Sequence, residues 1–466
     1  METKRTVRLV AAVSVLFVLL VVYMTYFQIF KADKIAMNSY NQRLSVDENA
    51  VVRGDIYDKN RVLLATSYKD EEGDNIREYL YPVLYAHVIG YNHVSYGKTG
   101  LELAYNNALL NVDTQKTFGQ LKNLIAPTGK GNDLVLTIDN RLQERAYQQL
   151  EGHKGSIVLL NYQTGEVLAM AGRPSFNPMT LDANWDELLS DADSPLINRS
   201  TQGLYTPGSS FKVITAAAIL ENLTREEQIY EDRGETVIDG YTIKNYLNES
   251  FGEIDLETAL INSVNTYFAD KGVQVGASAL QTTARKFMMN QAIPFDIPVA
   301  ESISPFATER GLTEIAAASF GQGKTLVTPL QMALVIASIA NEGKMPAPLL
   351  VDRVISPEGE VITQKSQSTL STVLPEGYAK ELKDDLIDTV NAGTRAMIEG
   401  KIVGGKTGTA ETASGLTHAW FIAFLEEEDL PLAVAVVLEE DDSLGGRTAA
   451  PIAREMFLDA MYLEIP

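Results

Sequence analysis

The sequence contains no cysteine, which excludes thiol nucleophiles, disulfide bonds and thiolate metal sites. Histidine is scarce as well: the four residues, scattered along 466 positions, favour neither a Ser-His-Asp triad nor a zinc site. Basic residues are outnumbered, and the net charge of −22 argues against nucleic acid or an anionic membrane surface as the main partner. If the chain is a hydrolytic or acyl-transfer enzyme, lysine must therefore supply the base.

One long hydrophobic run stands near the N-terminus. Residues 9–30 carry no charged side chain, and at about 1.5 Å per helical residue they span roughly the 30 Å of a bilayer core. A cleaved signal peptide would have a shorter apolar region followed by small residues. Here Tyr23, Tyr26, Phe27 and Phe30 occupy that end, and aromatic residues suit a membrane interface. We therefore expect a transmembrane anchor at 9–30.

Basic residues flank this run on both sides, and they set the expected orientation. The preceding ones are Lys4, Arg5 and Arg8, and the following ones are Lys31 and Lys34. The bias is slight, but it favours a cytoplasmic N-terminus. The expected protein is single-pass in the cell membrane, with a cytoplasmic tail at 1–8 and nearly all of the chain outside the cytoplasm, where ATP is scarce.

A nucleotide site is the first possibility that a motif search raises. The stretch GKIVGGKT at 400–407 fits the phosphate-loop pattern G-x-x-x-x-G-K-[ST]. A phosphate loop leaves a strand and enters a helix, whereas strand signals follow this stretch. The same letters contain Lys406-Thr407-Gly408, one of three short motifs of serine acyl-enzymes, and this second interpretation is the better one.

Two regions follow the anchor. Residues 31–150 form a mixed, polar segment with short strands and a helix that opens at Asp139. Residues 151–466 begin with an apolar hairpin at 155–172 and end with three strand candidates and a last helix, and the interval between them is mostly helical. Because the terminal strand groups must meet to bury their faces, we expect an α+β fold with an antiparallel sheet of about five strands covered by helices. The three strand candidates are 402–411, 417–425 and 430–438.

The stretch LYTPGSSFKVITAAAILEN places a hydroxyl and an amine together. Pro207 and Gly208 mark a break before a buried apolar helix. Ser209 and Lys212 are therefore three residues apart in its first turn, on one face. Lysine can take the serine proton only if burial or a neighbouring cation lowers its pKa. Free N–H groups at the helix start could hold a developing oxyanion.

Two further motifs follow in chain order. Ser263 and Asn265 lie between two helical stretches, where a hydroxyl could relay a proton and an amide could hold a carbonyl. Lys406 begins Lys-Thr-Gly-Thr in a strand near the sheet edge, where it could meet a carboxylate. The nearby glycines would let another backbone approach closely.

Each of these motifs also occurs elsewhere by chance, so order decides between the copies. Ser95 stands three residues before a second Lys-Thr-Gly at Lys98, and Ser-x-Asn recurs at Ser39 and at Ser175. The positions 209, 263 and 406 are the only set that gives Ser-x-x-Lys, Ser-x-Asn and Lys-Thr-Gly in sequence, each in its expected helix, interhelical loop and strand. These are the residues assigned to catalysis and substrate binding: Ser209, Lys212, Ser263, Asn265, Lys406, Thr407, Gly408 and Thr409.

With these motifs in this order the chain resembles the penicillin-binding proteins, specifically the short class B peptidoglycan D,D-transpeptidases. Two further stretches carry the resemblance. VVRGDIYDKNRVLLATS at 51–67 is similar to the Arg-Gly-x-Ile-x-Asp-x-Asn box of that class, and GKTGLE at 97–102 is similar to its Gly-x-x-Gly-x-Glu box. The departures are small: Arg61 and Val62 stand where glycine is usual. The resemblance implies a transpeptidase domain at 151–466 on a non-catalytic N-terminal pedestal at 31–150.

The resemblance also implies a mechanism. Lys212 deprotonates Ser209, which attacks the penultimate D-alanine carbonyl of a stem peptide. Ser263 passes the proton to the departing D-alanine and Asn265 holds the substrate amide. Lys406, with Thr407 and Thr409, binds the terminal carboxylate.

The same resemblance implies partners. Peptidoglycan stem peptides are the substrates and β-lactams acylate the serine. A membrane glycosyltransferase of the RodA and FtsW kind is the expected protein partner. No metal or cofactor is implied.

Several alternatives stay open at this point. A class A β-lactamase would need a Glu-x-x-Leu-Asn box, but Leu247-Asn248 is preceded at the glutamate position by Lys244. A D,D-carboxypeptidase shares the three motifs but not the pedestal boxes. A membrane-anchored β-lactam sensor or a scaffold without cross-linking activity would also bind penicillin.

Overall fold

The computed structural model describes residues 2–30, 51–111, 129–308, 311–412, 415–441 and 445–463. Its α-helices are α1 Glu2–Phe30, α2 Pro82–Tyr85, α3 Gly100–Ala104, α4 Asn106–Leu109, α5 Asn140–Gln149, α6 Leu181–Ser190, α7 Lys212–Asn222, α8 Arg225–Gln228, α9 Leu256–Ile261, α10 Asn265–Val275, α11 Ala277–Lys286, α12 Leu312–Ser319, α13 Pro329–Ala340, α14 Glu376–Asn391 and α15 Ala449–Tyr462.

Strands are found throughout the described region after the first helix. They are β1 Val51–Val52, β2 Ile56–Tyr57, β3 Leu63–Lys69, β4 Asn75–Tyr79, β5 Asn92–His93, β6 Gly97–Lys98, β7 Gly129–Lys130, β8 Asp133–Leu136, β9 Gly155–Asn161, β10 Val167–Arg173, β11 Tyr230–Asp232, β12 Glu235–Ile238, β13 Tyr241–Lys244, β14 Gly252–Ile254, β15 Lys344–Pro346, β16 Val351–Ile355, β17 Val361–Gln364, β18 Thr369–Thr372, β19 Ile402–Glu411, β20 Thr417–Glu426 and β21 Leu432–Leu438.

The first helix, α1, contains the hydrophobic run of the sequence. Its stretch Thr6–Phe27 is long and apolar enough to cross a membrane, and none of it is buried against the rest of the protein. Among the described residues it is the one helix that meets these criteria. The predicted apolar helix is therefore present.

The main sheet has five antiparallel strands in the order β10-β9-β21-β20-β19. The hairpin β9–β10 comes early in residues 151–466, and the other three strands come near the end of that range. They meet where Gly155 to Asn161 pair with Leu438 to Leu432. The predicted fold class is confirmed, and β19, which carries Lys406, lies at the edge of the sheet.

Both faces of this sheet are buried, which explains why its strands are apolar almost without alternation. Val158 and Leu160 belong to the hydrophobic core that contains helices α7 and α13. Ile157 and Leu159, which point to the other face, belong to a second core under α15. Helix α13 begins after Thr328, because the Thr328 side chain accepts a hydrogen bond from the Gln331 N–H and proline occupies the first turn.

A second sheet combines strands from both regions of the chain, 31–150 and 151–466. It has six strands in the order β17-β16-β8-β2-β3-β4. Strands β16 and β17 come from residues 351–364, far along the chain, and β16 pairs with β8 through Leu134 and Val354. The interval expected to be mostly helical thus contains short strands as well, and two of them complete the sheet of the N-terminal region.

The two N-terminal boxes of the sequence meet in a buried ion-pair cluster. Glu102 is fully buried, and its carboxylate bonds to the Arg53 and Arg77 guanidinium groups, with Arg77 Nε at 2.7 Å. These two cations hold the pKa of Glu102 below its usual value despite burial. The Lys-Thr-Gly at Lys98 leads into the helix that carries Glu102, so this copy of the motif belongs to the N-terminal region.

Candidate active site

Ser209 lies in a 3₁₀ turn, Gly208–Phe211, that runs directly into α7. The sequence predicts the first turn of a helix here, and the observed turn is tighter than an α-helical one. Because a 3₁₀ helix has three residues per turn, residues three apart eclipse one another on one face. The side chains of Ser209 and Lys212 therefore project from the same side of the turn. Ser209 is partly exposed, whereas Lys212 is fully buried.

Close backbone packing places this turn against β19. Gly208 has a φ of +54°, and a Cβ on it would lie 2.4 Å from the Thr409 carbonyl oxygen. A Cβ on Gly408 would lie 2.5 Å from the Pro207 carbonyl oxygen. Only glycine fits at either position, because real Cβ contacts are longer. The backbone that approaches Gly408 is thus the segment before Ser209, whereas the neighbour at Gly404 is the Phe424 ring.

The amine of Lys212 has neutral oxygen partners. Its Nζ lies 2.7 Å from the Ser263 carbonyl oxygen, 3.2 Å from Ser263 Oγ and 2.8 Å from Asn265 Oδ1. Burial, and to a lesser extent the nearby charge of Lys406, lower the pKa of Lys212 well below its ordinary value. The amine donates to all three oxygens, and none of them is a carboxylate that would hold the charged form. The surroundings therefore fit a lysine that acts as a base.

Ser263 lies in the short connection between α9 and α10, as the sequence predicts, and Asn265 begins α10. Ser263 has a φ of +54°, in the left-handed region where a residue with a Cβ is strained by about 1–2 kcal/mol. Asn265 is the first residue of α10, and its Nδ2 donates to the Lys244 carbonyl at 3.1 Å. The amide therefore bridges Lys212 on one side and strand β13 on the other.

Lys406 lies in the middle of β19 and is only 1% exposed. Burial lowers its pKa to about 7, and within the described ranges its ammonium forms no ion pair. Thr407 and Thr409 follow in the same strand and are partly exposed. Thr409 Oγ1 accepts a hydrogen bond from the Gly445 N–H at 3.3 Å. A carboxylate reaching Lys406 would find a cation without a competing partner there.

Four side chains that the sequence did not indicate hold the segment before Ser209. The Tyr205 hydroxyl donates to the Glu439 carboxylate, which also accepts from Arg199 Nε at 2.8 Å. Trp420 Nε1 donates to the Thr206 carbonyl at 3.0 Å. These contacts join positions that are distant in sequence, and no local motif indicates them.

A cleft of about 560 Å³ opens beside Asn265. Strand β13 forms one wall, and the end of β19 at Glu411 forms part of the other. This volume is in the usual range of small-ligand sites, about 300–1,000 Å³. The site thus combines two buried amines, those of Lys212 and Lys406, with an adjoining groove.

The three predicted motifs therefore come together in the structure. Gly208 and Gly408 bring the Ser209 turn onto β19, Lys212 contacts the Ser263–Asn265 loop, and the charge of Lys406 acts on Lys212. The hydroxyl of Ser209 forms no hydrogen bond with another side chain in the part of the chain that the structure describes. It is free to meet a substrate.

Known proteins resemble this chain over most of its length. Residues 155–458 match the penicillin binding protein transpeptidase domain, and residues 53–133 match the penicillin binding protein A dimerisation domain. The chain is 32% identical over 476 residues to the peptidoglycan D,D-transpeptidase PbpA of Mycolicibacterium smegmatis, covering 93% of this chain and 94% of that protein. It is also 32% identical to the protein of that name from Mycobacterium tuberculosis, covering 94% of each.

Solved structures show the same likeness. The imipenem acyl-enzyme complex of penicillin-binding protein A from M. tuberculosis aligns with a TM-score of 0.81 at 29% identity, covering 89% of this chain and 100% of that one. A D,D-transpeptidase domain from Eggerthella lenta aligns with a TM-score of 0.80 at 31% identity, covering 89% of this chain and 99% of that one.

Proposed function

The chain belongs to the penicillin-binding protein transpeptidases, and on that premise we propose that it cross-links peptidoglycan stem peptides as a serine D,D-transpeptidase. The observation that carries the proposal is the environment of Lys212. A fully buried amine with neutral oxygen partners, beside a second buried cation, is suited to taking a proton from Ser209. The structural relatives include β-lactam acyl-enzyme complexes, as expected for a serine enzyme.

Acylation begins when Lys212 takes the Ser209 proton. The Ser209 oxygen attacks the penultimate D-alanine carbonyl, and the backbone N–H groups of Ser209 and Thr409 hold the resulting oxyanion. The C–N bond to the terminal D-alanine then breaks. Its nitrogen receives a proton through the Ser263 hydroxyl, and the donor remains as an ester on Ser209.

Deacylation transfers the donor to an amine of a second stem peptide. Lys212, neutral again, accepts a proton from that amine as its nitrogen attacks the ester carbonyl. The Ser209 oxygen leaves with a proton, and an amide cross-link has formed. A β-lactam enters the first step and stays on Ser209, because its leaving nitrogen remains tethered to the acyl group.

Substrate binding is assigned to the Asn265 amide and to the Lys406 amine. Asn265 holds the donor amide, and its orientation is fixed by the bonds to Lys212 and to the Lys244 carbonyl. Lys406 binds the terminal carboxylate together with Thr407 and Thr409, while Gly408 lets the Ser209 turn pack beside them. Strand β19, at the sheet edge, presents this set to an extended peptide.

The domain organisation and membrane topology belong to the same proposal. Residues 9–30 anchor the chain, 1–8 lie in the cytoplasm, and the pedestal (31–150) and transpeptidase domain (151–466) lie outside. The apolar helix α1 and the match of 53–133 to a dimerisation domain support this division. A membrane glycosyltransferase of the RodA and FtsW kind, which would supply glycan strands, is the proposed partner.

Fluorescent penicillin tests the proposal. Ser209→Ala should abolish covalent labelling, whereas Lys98→Ala, in the other Lys-Thr-Gly, should leave it intact. Label on the Ser209→Ala protein would show that the nucleophile is wrong. Isolation of the labelled peptide identifies the acylated residue directly, and analysis of dimeric products separates cross-linking from carboxypeptidase activity.

A further inference from the structure

Among the residues that line the cleft beside Asn265, only Asn265 itself binds substrate in the steps described above. On one wall lies β13 with Lys244, and on the other lies Glu411 at the end of β19. Asn265 lines the same cleft and is the residue assigned to the donor amide. The groove therefore begins where the reacting part of the substrate ends.

The direction of the donor peptide follows from β19, and this step rests on the proposed function. The terminal carboxylate lies at Lys406 and the scissile carbonyl lies near Thr409, beside the Ser209 turn. Since β19 is an edge strand, an extended peptide can run along its open side at about 3.3 Å per residue. The residue before the D-alanine pair then lies near Glu411, within the cleft.

The lining of the cleft carries charges of both signs, namely Lys244, Glu314, Lys324 and Glu411. Glu411 is exposed at the end of its strand. The Lys244 ammonium lies 3.5 Å from Glu235, and both side chains are about half exposed, so a substrate group can compete for it. The backbone of Lys244 is tied to the site through the hydrogen bond from Asn265 Nδ2. The position of this lysine is therefore coupled to the residue that holds the donor amide.

We propose that Glu411 and Lys244 select the donor by the side chain of the residue that precedes the D-alanine pair. A stem peptide serves as donor in one reaction and as acceptor in another, so every donor carries the side-chain amine that acceptors use. Glu411 pairs with that amine. Lys244 pairs with a side-chain carboxylate where the diamino acid has one, as diaminopimelate does and lysine does not.

Competition against fluorescent penicillin tests this subsite in the full-length protein. Four synthetic donor peptides ending in D-Ala-D-Ala are compared, with lysine, norleucine, diaminopimelate or its side-chain amide before the D-alanine pair. The variants are Glu411→Gln and Lys244→Met. Matched controls are Glu360→Gln and Lys344→Met, at exposed positions outside the cleft.

Each charge should affect only the peptides that carry its partner. For the lysine peptide, Glu411→Gln should raise the concentration that halves the labelling rate, and the increase should be about fivefold. A larger increase is not expected, because a partly exposed ion pair contributes little binding free energy. The value for the norleucine peptide should not change. Lys244→Met should remove the difference between diaminopimelate and its amide, and the control variants should behave as wild type.

Two results would overturn the inference. One is an equal shift for all four peptides, and the other is failure of every peptide to slow labelling of the wild-type protein. In either case labelling itself still reports Ser209 acylation, so the proposed function is judged separately. Loss of label in the wild-type protein would instead count against the transpeptidase assignment.

Discussion

Replacement of Lys406 by methionine should make the protein more stable and less active. Methionine has nearly the same length and no charge, so it keeps the packing and removes the buried ammonium. The pKa of Lys406 falls from 10.5 to about 7 on burial. At about 1.36 kcal/mol per unit, a shift of roughly 3.5 units corresponds to about 5 kcal/mol of destabilisation at pH 7.

The pH dependence has a definite sign. Above the unfolded pKa of 10.5 the lysine is neutral in both states, and its burial costs nothing extra. As the pH falls from 10.5 to about 7, the unfolded chain binds a proton that the folded protein does not. Wild-type stability therefore declines through this window, whereas that of Lys406→Met does not. The advantage of the variant should shrink from about 5 kcal/mol at pH 7 to about 3 kcal/mol at pH 8.5.

Thermal unfolding of the full-length protein in detergent measures this difference. At about 2 °C per kcal/mol for a chain of this size, Lys406→Met should unfold about 10 °C higher than wild type at pH 7. Lys401→Met is the matched control, because Lys401 is about one-third exposed and pairs with Glu427 at 3.0 Å. Its effect should stay within about 1 kcal/mol. A Tm of Lys406→Met at or below the wild-type value, or an advantage that does not shrink with rising pH, would refute the reasoning.

Three further predictions follow from the same structure. Because Lys406 helps to lower the Lys212 pKa, the rate of penicillin labelling should begin to rise at a higher pH in Lys406→Met than in wild type. An unchanged pH profile of labelling would disprove the coupling. Gly408→Ala should slow acylation at least about tenfold, since its Cβ would lie 2.5 Å from the Pro207 oxygen. The control Gly446→Ala, with 3.4 Å to the Thr407 methyl group, should retain the rate. Glu102→Gln should lower the free energy of unfolding by roughly 3–5 kcal/mol, because two buried guanidinium groups lose their carboxylate; a loss under about 1 kcal/mol in chemical denaturation, similar to that of exposed Glu72→Gln, would contradict this.

The candidate site residues could be proposed from the sequence because their signals are local. Ser209 and Lys212 are spaced by one helical turn, and Lys406 lies in a strand with clear β character. Apolar runs at both ends of the catalytic region predicted the five-stranded sheet, since such strands need each other to bury their faces. Chain order then selected one copy of each motif as the candidate.

Contacts between distant segments could not be predicted in this way. The link from Tyr205 to Glu439 depends on how two separate parts of the chain pack, and neither stretch carries a pattern that indicates the other. The positive φ of Ser263 has no sequence signal either, because serine rarely adopts it. The second sheet was missed for the same reason, since its hairpin β16–β17 looks like any short exposed hairpin.

This hairpin has a consequence for biosynthesis. Strand β8 stays without one of its neighbours until residues 351–364 have emerged, and an open strand edge invites pairing with other chains. A ribosome or export channel that delivers the chain from its N-terminus must release most of the polypeptide before the early sheet can close. We expect proteins truncated before residue 351 to be prone to aggregation. Nascent chains of intermediate length should depend most on chaperones.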